Sequence, residues 1–483
     1  MNTDGHPPRL IVVGAGIAGL AAAHRTVELL GEDVDLLVLE AGERAGGVIQ
    51  TDRVEDFLLE GGPDSMVTDK PAGLALCHRL GLQNDIQPTQ ERYRRTLIVR
   101  DGKLVPMPDA FQLMAPAKLV PFLRSPVLSW RGKIEALKDL VLPRNGPEPD
   151  GDESLASFVR RRLGNEILER IAQPMIGGIY TADPETLSLA STMPRFLEME
   201  RTHRSVILGL AARLREAPVE QASGPRYGVF VSLRGGIGSL VEALVAHLPA
   251  GALRTGCRVT GLERTERATR PWSVTLSSGH REEADGIILA LPAPTSAGLI
   301  ESLAPGAAAR LAAIEYASSA ILSFAFDAKA VPNAPEAFGF VVPRVEGRSI
   351  IAGSFSSRKF AGRAPANHFL VRLFVGGALQ SEFLDRDDEA LLDLGRRELR
   401  ELLSIEADPA VARVHRWPKS MPQYRVGHAK HVAALEAEIE KCPGLALAGN
   451  AYHGVGLADC IRDGEQAAQR TVDTFLSTAR RRA

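Results

Sequence analysis

The chain has 483 residues, of which 45% are hydrophobic and 24% are charged. These values are ordinary for a globular protein and allow a large buried core. The formal net charge of −2 gives no overall basic field, which argues against nucleic acid as a partner.

The four cysteines are widely scattered without C-x-x-C spacing, which favours reduced thiols in the cytoplasm over a disulfide framework or a zinc site. The N-terminal segment MNTDGHPPRL lacks the basic-then-apolar pattern of a secretory signal. The apolar stretch that follows is interrupted by glycines and ends before it reaches a membrane-spanning length. We therefore expect a cytoplasmic protein, either free in solution or peripheral on the cytoplasmic face of the membrane.

The first predicted elements form a nucleotide-binding unit. RLIVVGAGIAGLAAAHRTVELLG predicts a strand, a tight turn and a helix, and DVDLLVLEA predicts a second buried strand. In the G-x-G-x-x-G turn, the first glycine allows the turn, the second lets the backbone approach a pyrophosphate, and the third packs the helix on the strand. An acidic residue that ends the second strand can accept hydrogen bonds from ribose hydroxyls. Because it would repel a 2′-phosphate, it argues against NADP. A dinucleotide site is therefore favoured over a purely structural βαβ turn. The candidate cofactor-binding residues here are Gly14, Ala15, Gly16, Ile17, Ala18, Gly19 and Glu40.

A glycine doublet then favours FAD over NAD. It lies in AGERAGGVIQT, where Gly46 and Gly47 let the main chain pass close to a ribityl–pyrophosphate link and Arg44 supplies a cation nearby. A simple β-turn is the alternative interpretation of this doublet. The following LEGGPDS offers turn backbone at the edge of a flavin, with Gly62, Pro63, Asp64 and Ser65 as candidates.

The remaining elements alternate between two kinds of sequence. Helix-like stretches separated by prolines dominate residues 93–221. Strand-like sequence typical of a nucleotide-binding domain returns in residues 222–292 and again near the C-terminus. We therefore predict an α/β fold in which residues 1–92, 222–292 and 411–483 form a Rossmann-like FAD-binding domain. It is interleaved with the mainly helical 93–221 and a mixed α/β substrate domain at 293–410.

Part of the helical segment carries a basic and apolar pattern. Leucine, phenylalanine, tryptophan and valine alternate there with Lys118, Arg124, Arg131, Lys133 and Lys138. This pattern suits contact with an anionic membrane surface. An ordinary pair of surface helices would show the same pattern, so both interpretations stay open.

Several stretches carry a resemblance to a known family. They are GGIYTADPETLSL, THRSVILGL, SLRGGIGSLVEAL, RWPKSMPQYRVGH and GVGLADCI, and they follow one another along nearly the whole chain. The chain resembles the oxygen-dependent porphyrinogen oxidases of haem biosynthesis. The R-x-G-G doublet is similar to that of the larger FAD superfamily, which includes amine oxidases and phytoene desaturases.

The resemblance implies roles for further residues. The chain end would return so that Val455, Gly456 and Leu457 supply main chain beside N1 and O2 of the isoalloxazine, where negative charge develops on reduction. Val259 and Trp417 match positions that contact FAD. The substrate pocket would include Gly178, Ile179, Phe338, Gly339 and Val341, although Phe338 would serve equally well as plain core.

The resemblance also implies the reaction. A porphyrinogen would lose six electrons to FAD in three steps, and dioxygen would reoxidise the flavin to give hydrogen peroxide. Such chemistry asks the protein for orientation and a dry flat slot, so we expect no catalytic side chain, no triad and no metal. A flavin amine or carotenoid oxidase is a more distant alternative. So is a non-catalytic FAD-stabilised scaffold that serves a haem-pathway enzyme partner; the oligomeric state stays open.

Two candidate cations bear on the choice of substrate. Coproporphyrinogen III carries four carboxylates and protoporphyrinogen IX carries two, and carboxylates in a partly dry slot need cationic partners. Lys70 stands where coproporphyrinogen-oxidising relatives have a pocket lysine. Thr96 stands where protoporphyrinogen oxidases typically have an arginine, with Arg95 just before it; a solvated charge run is the alternative for this segment. These features favour coproporphyrinogen III slightly over protoporphyrinogen IX.

Overall fold

The central sheet is parallel and has five strands. The computed structural model describes residues 7–31, 34–107, 111–112, 114–116, 118–144, 151–216, 230–265 and 270–482. In spatial order the strands of this sheet are Leu253–Arg254, Asp35–Leu39, Arg9–Val13, Gly286–Leu289 and Leu445–Leu447. The strands come from the beginning, middle and end of the chain, so one sheet is assembled from three separate passes, as the recurring strand pattern predicts.

The near-continuous apolar strands are explained by burial on both faces. Leu10 and Val12 pack into one core with helices Ile17–Leu30, Pro71–Arg79, Gly238–Ala246 and Leu457–Arg482. Ile11 and Val13 face a second core. That core is formed with helices Ala293–Ile300, Pro305–Ala312 and His428–Ile439 and with the antiparallel strands Val259–Arg264, Trp272–Leu276 and Arg281–Ala284. A parallel sheet covered in this way needs apolar residues at every position.

The two ends of the chain lie side by side. Helix Leu457–Arg482 packs along helix Ile17–Leu30, and a Cβ at Gly464 would collide with the carbonyl oxygen of Ala18. Only a glycine lets the two backbones approach this closely. The N-terminal and C-terminal glycine-rich turns therefore belong to one layer.

The helical region forms its own apolar core. Its helices are Leu119–Arg124, Trp130–Leu137, Leu155–Leu163, Asn165–Ile167, Gln173–Tyr180, Leu189–Thr192, Pro194–His203 and Val206–Glu216. A π-helical turn at Leu168–Ala172 joins two of them, directly before Pro174. Proline cannot donate to the residue four positions earlier and its ring crowds that carbonyl, which accounts for the wider turn. Short strands Phe111–Gln112 and Ala115–Pro116 pair at its border.

A seven-stranded mixed sheet forms the third unit. Its strands in spatial order are Val411–Pro422, Tyr316–Asp327, His368–Gly376, Ala352–Ser354, Gly339–Val341, Thr96–Arg100 and Lys103–Pro106. Helix Asp388–Leu403 covers one face, where Leu391 and Leu394 share a core with Leu322 and Phe324. The sheet thus draws strands from 96–106 and 411–422, which the sequence-based division assigned to the helical segment and to the third FAD segment. Strand pairing is decided by distant partners, which a local pattern does not show.

Smaller elements connect these units. The hairpin Thr51–Val54 and Phe57–Glu60 leads to a sheet of Met66–Val67, Phe230–Leu233 and Ile86–Pro88. A short helix spans Ser356–Lys359, and 3₁₀ turns occur at Glu91–Tyr93, Lys138–Leu140, Ala328–Ala330, Arg344–Glu346 and Ser381–Asp385. Among the described residues, no helix combines the length and the apolar character needed to cross a bilayer.

Candidate active site

In the first glycine loop, which we call the cradle, two glycines are in close contact with backbone atoms and the third borders open space. A Cβ at Gly14, whose φ is +102°, would collide with the carbonyl oxygen of Ala290, and one at Gly19 would collide with that of Gly14. By contrast, a Cβ at Gly16 would meet nothing within 4 Å. The helix that follows begins at Ile17, directly after Gly16, and has no side-chain cap. This arrangement fits a dinucleotide pyrophosphate, which binds at an uncapped helix N-terminus.

Glu40 closes the loop from the second strand. Its carboxylate accepts hydrogen bonds from the N–H of Ala15 at 2.8 Å and of Gly42 at 2.7 Å. Its carbonyl oxygen accepts from the N–H of Cys257 at 2.8 Å, which brings the strand beginning at Val259 beside the loop. The predicted ribose acceptor and the predicted FAD contact Val259 therefore lie at the same end of the site.

The glycine doublet packs directly on the first loop. The N–H of Gly46 donates to the carbonyl oxygen of Ala15 at 2.7 Å, and a Cβ at Gly47 would lie 3.3 Å from the Cα of Gly16. Arg44 donates to carbonyl oxygens within its own loop, at 2.7 Å to Gly47 and 2.8 Å to Ile49. Its guanidinium thus shapes the doublet loop, a role that the sequence did not suggest.

The turn after the hairpin, residues 61–65, is held from both sides. A Cβ at Gly62 would collide with the carbonyl oxygen of Val48, next to the doublet. Trp417 donates its indole N–H to the carbonyl oxygen of Gly61 at 2.6 Å. Ser65 donates its hydroxyl to Asp64 at 2.7 Å. This turn, which contains the predicted Gly62, Pro63, Asp64 and Ser65, therefore lies between the doublet and the strand that carries Trp417.

The C-terminal turn, residues 449–456, is anchored by distant side chains. The Tyr424 hydroxyl donates to the carbonyl oxygen of Asn450 at 2.6 Å and accepts from the N–H of Gly454 at 2.9 Å. The Asp463 carboxylate accepts from the N–H of Gly449 at 2.7 Å. Burial raises the pKa of Asp463 to about 6, although that hydrogen bond opposes the shift. Burial also raises the pKa of Tyr424, so its hydroxyl keeps its proton.

The strand Val411–Pro422 links the two turns. Trp417 contacts Gly61, and three residues later the carbonyl oxygen of Ser420 accepts from the Asn450 amide at 3.1 Å. Tyr424 then follows on the same segment. Direct contacts therefore connect four segments one after another in space: the glycine loop, the doublet, the 61–65 turn and the C-terminal turn. A single extended cofactor would require such a continuous series.

Two of the predicted pocket residues face open space on the helical side. A Cβ at Gly178 would meet nothing within 4 Å, and Ile179 is 45% exposed. Both lie on helix Gln173–Tyr180, whose residues share an apolar core with Val455 of the C-terminal turn and with Val341. The end of this helix lies near the segment that anchors the C-terminal turn, because the carbonyl oxygen of Tyr180 accepts from the side-chain amide of Gln423 at 3.5 Å. A small cleft of about 30 Å³ lined by Gly177 and others lies against the same helix.

The other predicted pocket residues have strong structural roles. A Cβ at Gly339 would collide with the carbonyl oxygen of Gly353 across the strand pair, so strand packing alone requires this glycine. Phe338 is 7% exposed, and its N–H donates to the carbonyl oxygen of Arg95 at 2.8 Å. Gly339 and Val341 pair with Thr96 and Ile98 in parallel register.

The two candidate substrate cations have different surroundings. Lys70, with 45% of its side chain exposed, contacts the buried carboxylate of Asp459 at 2.5 Å, in the first turn of the C-terminal helix. Arg462 contacts the other oxygen of Asp459 at 3.1 Å. Arg95 is exposed on the segment before the strand Thr96–Arg100. Asp459 and Tyr424 have no predicted role, although both lie within motifs that carry the resemblance, GVGLADCI and RWPKSMPQYRVGH.

Comparisons with known proteins agree with this arrangement. A family model described as flavin containing amine oxidoreductase matches residues 17–472. A coproporphyrinogen III oxidase from Propionibacterium freudenreichii subsp. freudenreichii is 37% identical, over 97% of this chain and 91% of that protein. A chloroplastic protoporphyrinogen oxidase from Nicotiana tabacum is 28% identical over 97% and 86%. The crystal structure of a "Putative protoporphyrinogen oxidase" from Exiguobacterium sp. superposes with a TM-score of 0.85 at 30% identity, over 97% and 99% of the two chains.

The family model covers most of the chain, and the similarity to the first of these relatives extends over nearly the full length of both proteins. The fold is the α/β fold of the flavin-dependent members, with its interleaved sheets and helical region, and the cofactor of the family is a flavin. The chain belongs to the flavin containing amine oxidoreductase family and, within it, to the porphyrinogen oxidases.

Proposed function

We propose that this protein uses FAD and dioxygen to oxidise coproporphyrinogen III to coproporphyrin III, with release of hydrogen peroxide. The observation that carries the proposal is the set of direct contacts that connects the first glycine loop to the C-terminal turn. The full-length similarity to coproporphyrinogen III oxidases supports the choice of substrate. Protoporphyrinogen IX is the second candidate, because chloroplastic protoporphyrinogen oxidases also match 97% of the chain at 28% identity.

The residues of the chain would act chiefly by binding and orienting. The open side of Gly16 and the N-terminus of helix Ile17–Leu30 would hold the pyrophosphate, and Glu40 would accept from a ribose hydroxyl. Main chain at residues 455–457 would approach the pyrimidine edge of the ring. When bound, FAD supplies two-electron acceptance from a carbon–hydrogen bond and reoxidation by dioxygen.

No side chain is assigned as a general base. The buried Asp459 is the carboxylate nearest in sequence to the expected ring site, but both of its oxygens contact cations, Lys70 and Arg462. These two contacts engage both oxygens of the carboxylate. The contribution of the protein to rate would instead come from orientation and from an apolar slot beside Gly178 and Ile179.

Two experiments test the proposed activity. Purified protein should be yellow, release FAD on denaturation, and turn coproporphyrinogen III fluorescent under air while consuming oxygen faster than with protoporphyrinogen IX. Absence of flavin, or of porphyrin from either substrate, would exclude a porphyrinogen oxidase. Reduction of the flavin by an amine but not by porphyrinogens would favour an amine oxidase instead.

The double variant Lys70→Ala with Arg95→Ala tests the substrate assignment. It removes two cations and should lower kcat/KM for the four-carboxylate substrate more than for the two-carboxylate substrate. Arg92→Ala is the matched control, because Arg92 lies in the same segment but is fully exposed and already pairs with Glu336. Equal losses on both porphyrinogens would reject these two residues as carboxylate anchors.

We also propose that the helical region contacts an anionic membrane surface. Trp130 and Ile134, one turn apart on helix Trp130–Leu137, are 67% and 61% exposed, and Val120 and Val141 are exposed nearby. Exposed cations surround them at Lys118, Arg124, Arg131 and Lys138. Lys133 does not belong to this set, because it is buried and donates to the carbonyl oxygen of Leu123 at 2.8 Å.

Vesicle sedimentation tests this contact. The protein should sediment with vesicles containing phosphatidylserine and much less with pure phosphatidylcholine, and Trp130→Ala with Ile134→Ser should abolish sedimentation while the oxidase rate in solution is kept. Absence of sedimentation with anionic vesicles would reject the membrane contact without affecting the proposed oxidase.

A further inference from the structure

A cluster of five charged side chains, three buried and two partly buried, lies at the 61–65 turn, and the proposed function does not use their charges. Lys359 contacts one oxygen of Asp64 at 2.8 Å and Arg372 contacts the other at 3.2 Å. Arg363 approaches Glu60 at 3.6 Å. The side chains of Arg363 and Arg372 are 1% and 2% exposed, so these charges are almost completely removed from water.

The cluster carries more positive than negative charge. The cluster contains three cations and two carboxylates. Burial raises the pKa of Glu60, which disfavours the ionised form of this carboxylate. Burial opposes ionisation of Asp64 as well, but Lys359 and Arg372 hold its pKa far below the usual range. The further carboxylate of Asp52, on the neighbouring hairpin, already pairs with His415 at 2.8 Å. A buried positive charge without a counter-ion is costly, so the site is built to face an additional anion.

Arg372 is the cation of the cluster that contacts the main chain of the 61–65 turn. It lies on strand His368–Gly376, on the face that Leu370 presents to the hairpin residues Phe57 and Leu59. Its guanidinium donates to the carbonyl oxygen of Gly62. Its Nε has no hydrogen-bond partner among the residues that the structure describes. The surplus charge therefore stands directly behind the backbone of the 61–65 turn.

That turn lies on the path from the pyrophosphate cradle to the C-terminal turn. On one side Gly62 packs on Val48, next to the doublet, and on the other Gly61 accepts from Trp417. A dinucleotide that extends from Gly16 toward Val455 would have its phosphates at the cradle and its redox-active ring near this turn. Charges in such a water-excluded position act strongly on a nearby ring, because solvent screens them little.

We infer that Arg372 and Lys359 supply a permanent positive charge that stabilises the negative charge placed on the bound flavin by two-electron reduction. This inference rests on the proposed function, and it adds an electrostatic role for residues that act across the 61–65 turn. The cluster would raise the reduction potential of the cofactor, which favours electron transfer from the porphyrinogen. Asp64 opposes the effect and limits it.

The sign of the effect separates this role from a structural one. The readout is the two-electron midpoint potential of the bound flavin, measured against a reference dye. Arg372→Gln removes a positive charge and should weaken binding of the reduced flavin relative to the oxidised flavin about tenfold, which lowers the potential by about 30 mV. Asp64→Asn removes a negative charge and should raise the potential by a similar amount. Shifts in the same direction, or no shift in either variant, would overturn the inference.

Three further variants complete the test. Arg372→Lys keeps the charge and should keep the potential. Arg348→Gln is the matched control: this arginine is also ion-paired, with Glu398 and Glu401 of the helix that covers the other side of the sheet, so the potential should not move. If Arg372→Gln retains no flavin, Lys359→Gln takes its place with the same expected sign.

The inference and the proposed function can fail separately. Wild-type protein that binds no flavin would reject both. Protein that oxidises porphyrinogens, but whose potential fails to respond with opposite signs, would reject the inference alone.

Discussion

The two glycine-rich turns at opposite ends of the chain are kept in shape by different forces. In the N-terminal loop, Gly14 and Gly19 are required by close backbone contacts, with the carbonyl oxygens of Ala290 and of Gly14 itself. The C-terminal turn is instead shaped by hydrogen bonds from distant side chains, above all Tyr424 and Asp463. The first turn is thus shaped by close backbone contacts, one of them with the distant Ala290, whereas the second depends on hydrogen bonds from side chains that the fold brings to it.

This difference matters for how each turn would fail. A change in the first loop acts through sterics, and its effect depends on which glycine is replaced. A change in the contacts of the second turn releases the backbone without creating a clash. Four substitutions test that contrast, from abolition of FAD binding to a pH-dependent change in stability.

Gly16→Val should abolish FAD binding and leave the fold of the apoprotein intact. The added side chain would occupy the open side of the cradle, where no protein atom lies within 4 Å, and so it would block the approach of the pyrophosphate. Flavin retained after gel filtration measures binding, and thermal unfolding without added FAD measures stability. Full flavin occupancy in this variant would refute the cradle.

Gly19→Ala sharpens the comparison within the same loop. Its Cβ would collide with the carbonyl oxygen of Gly14, so the free energy of unfolding of the apoprotein should fall by about 1–3 kcal/mol. Equal apoprotein stability in the Gly16 and Gly19 variants would mean that the two glycines do not differ in the way the geometry indicates.

Tyr424→Phe should loosen the C-terminal turn. It removes the hydroxyl that joins Asn450 to Gly454 and leaves the part-buried N–H of Gly454 without its acceptor, at a cost of about 1–3 kcal/mol. We expect FAD affinity to fall about tenfold, as a loss of roughly 1.4 kcal/mol of binding free energy implies. Tyr93→Phe, on the half-buried surface segment before Thr96, is the control and should change neither quantity. Unchanged affinity in the Tyr424 variant would show that its hydroxyl does not position the turn.

The effect of Asp463 on stability should depend on pH. The folded state raises its pKa to about 6 from an ordinary 3.8, so the folded protein binds this proton more tightly than the unfolded chain does. Stability should therefore fall as the pH rises from about 4 to 6 and then level off, by on the order of 2–3 kcal/mol in total. Asp463→Asn, which still accepts from the N–H of Gly449, should flatten this part of the stability–pH curve. An unchanged slope would assign the pH dependence to other groups.

Local sequence patterns were sufficient for much of the fold. The G-x-G-x-x-G loop with Glu40 and the doublet at Gly46 and Gly47 predicted a nucleotide cradle, because glycine spacing and strand periodicity depend on neighbouring residues. The return of strand-like sequence predicted three passes through one sheet, and the parallel strands from 9–13, 286–289 and 445–447 confirm it. Motif order along the chain was enough for the family.

The tertiary structure decided what depends on distant pairs. The strands at 96–106 and 411–422 joined the large sheet, and the glycine at 339 proved necessary for strand packing, whatever its part in a pocket. The pairing of Lys70 with Asp459, the anchoring by Tyr424 and the charge surplus around Arg372 likewise join residues from separate parts of the chain. Burial and Coulomb energy depend on distances in space, and only the folded chain determines those distances.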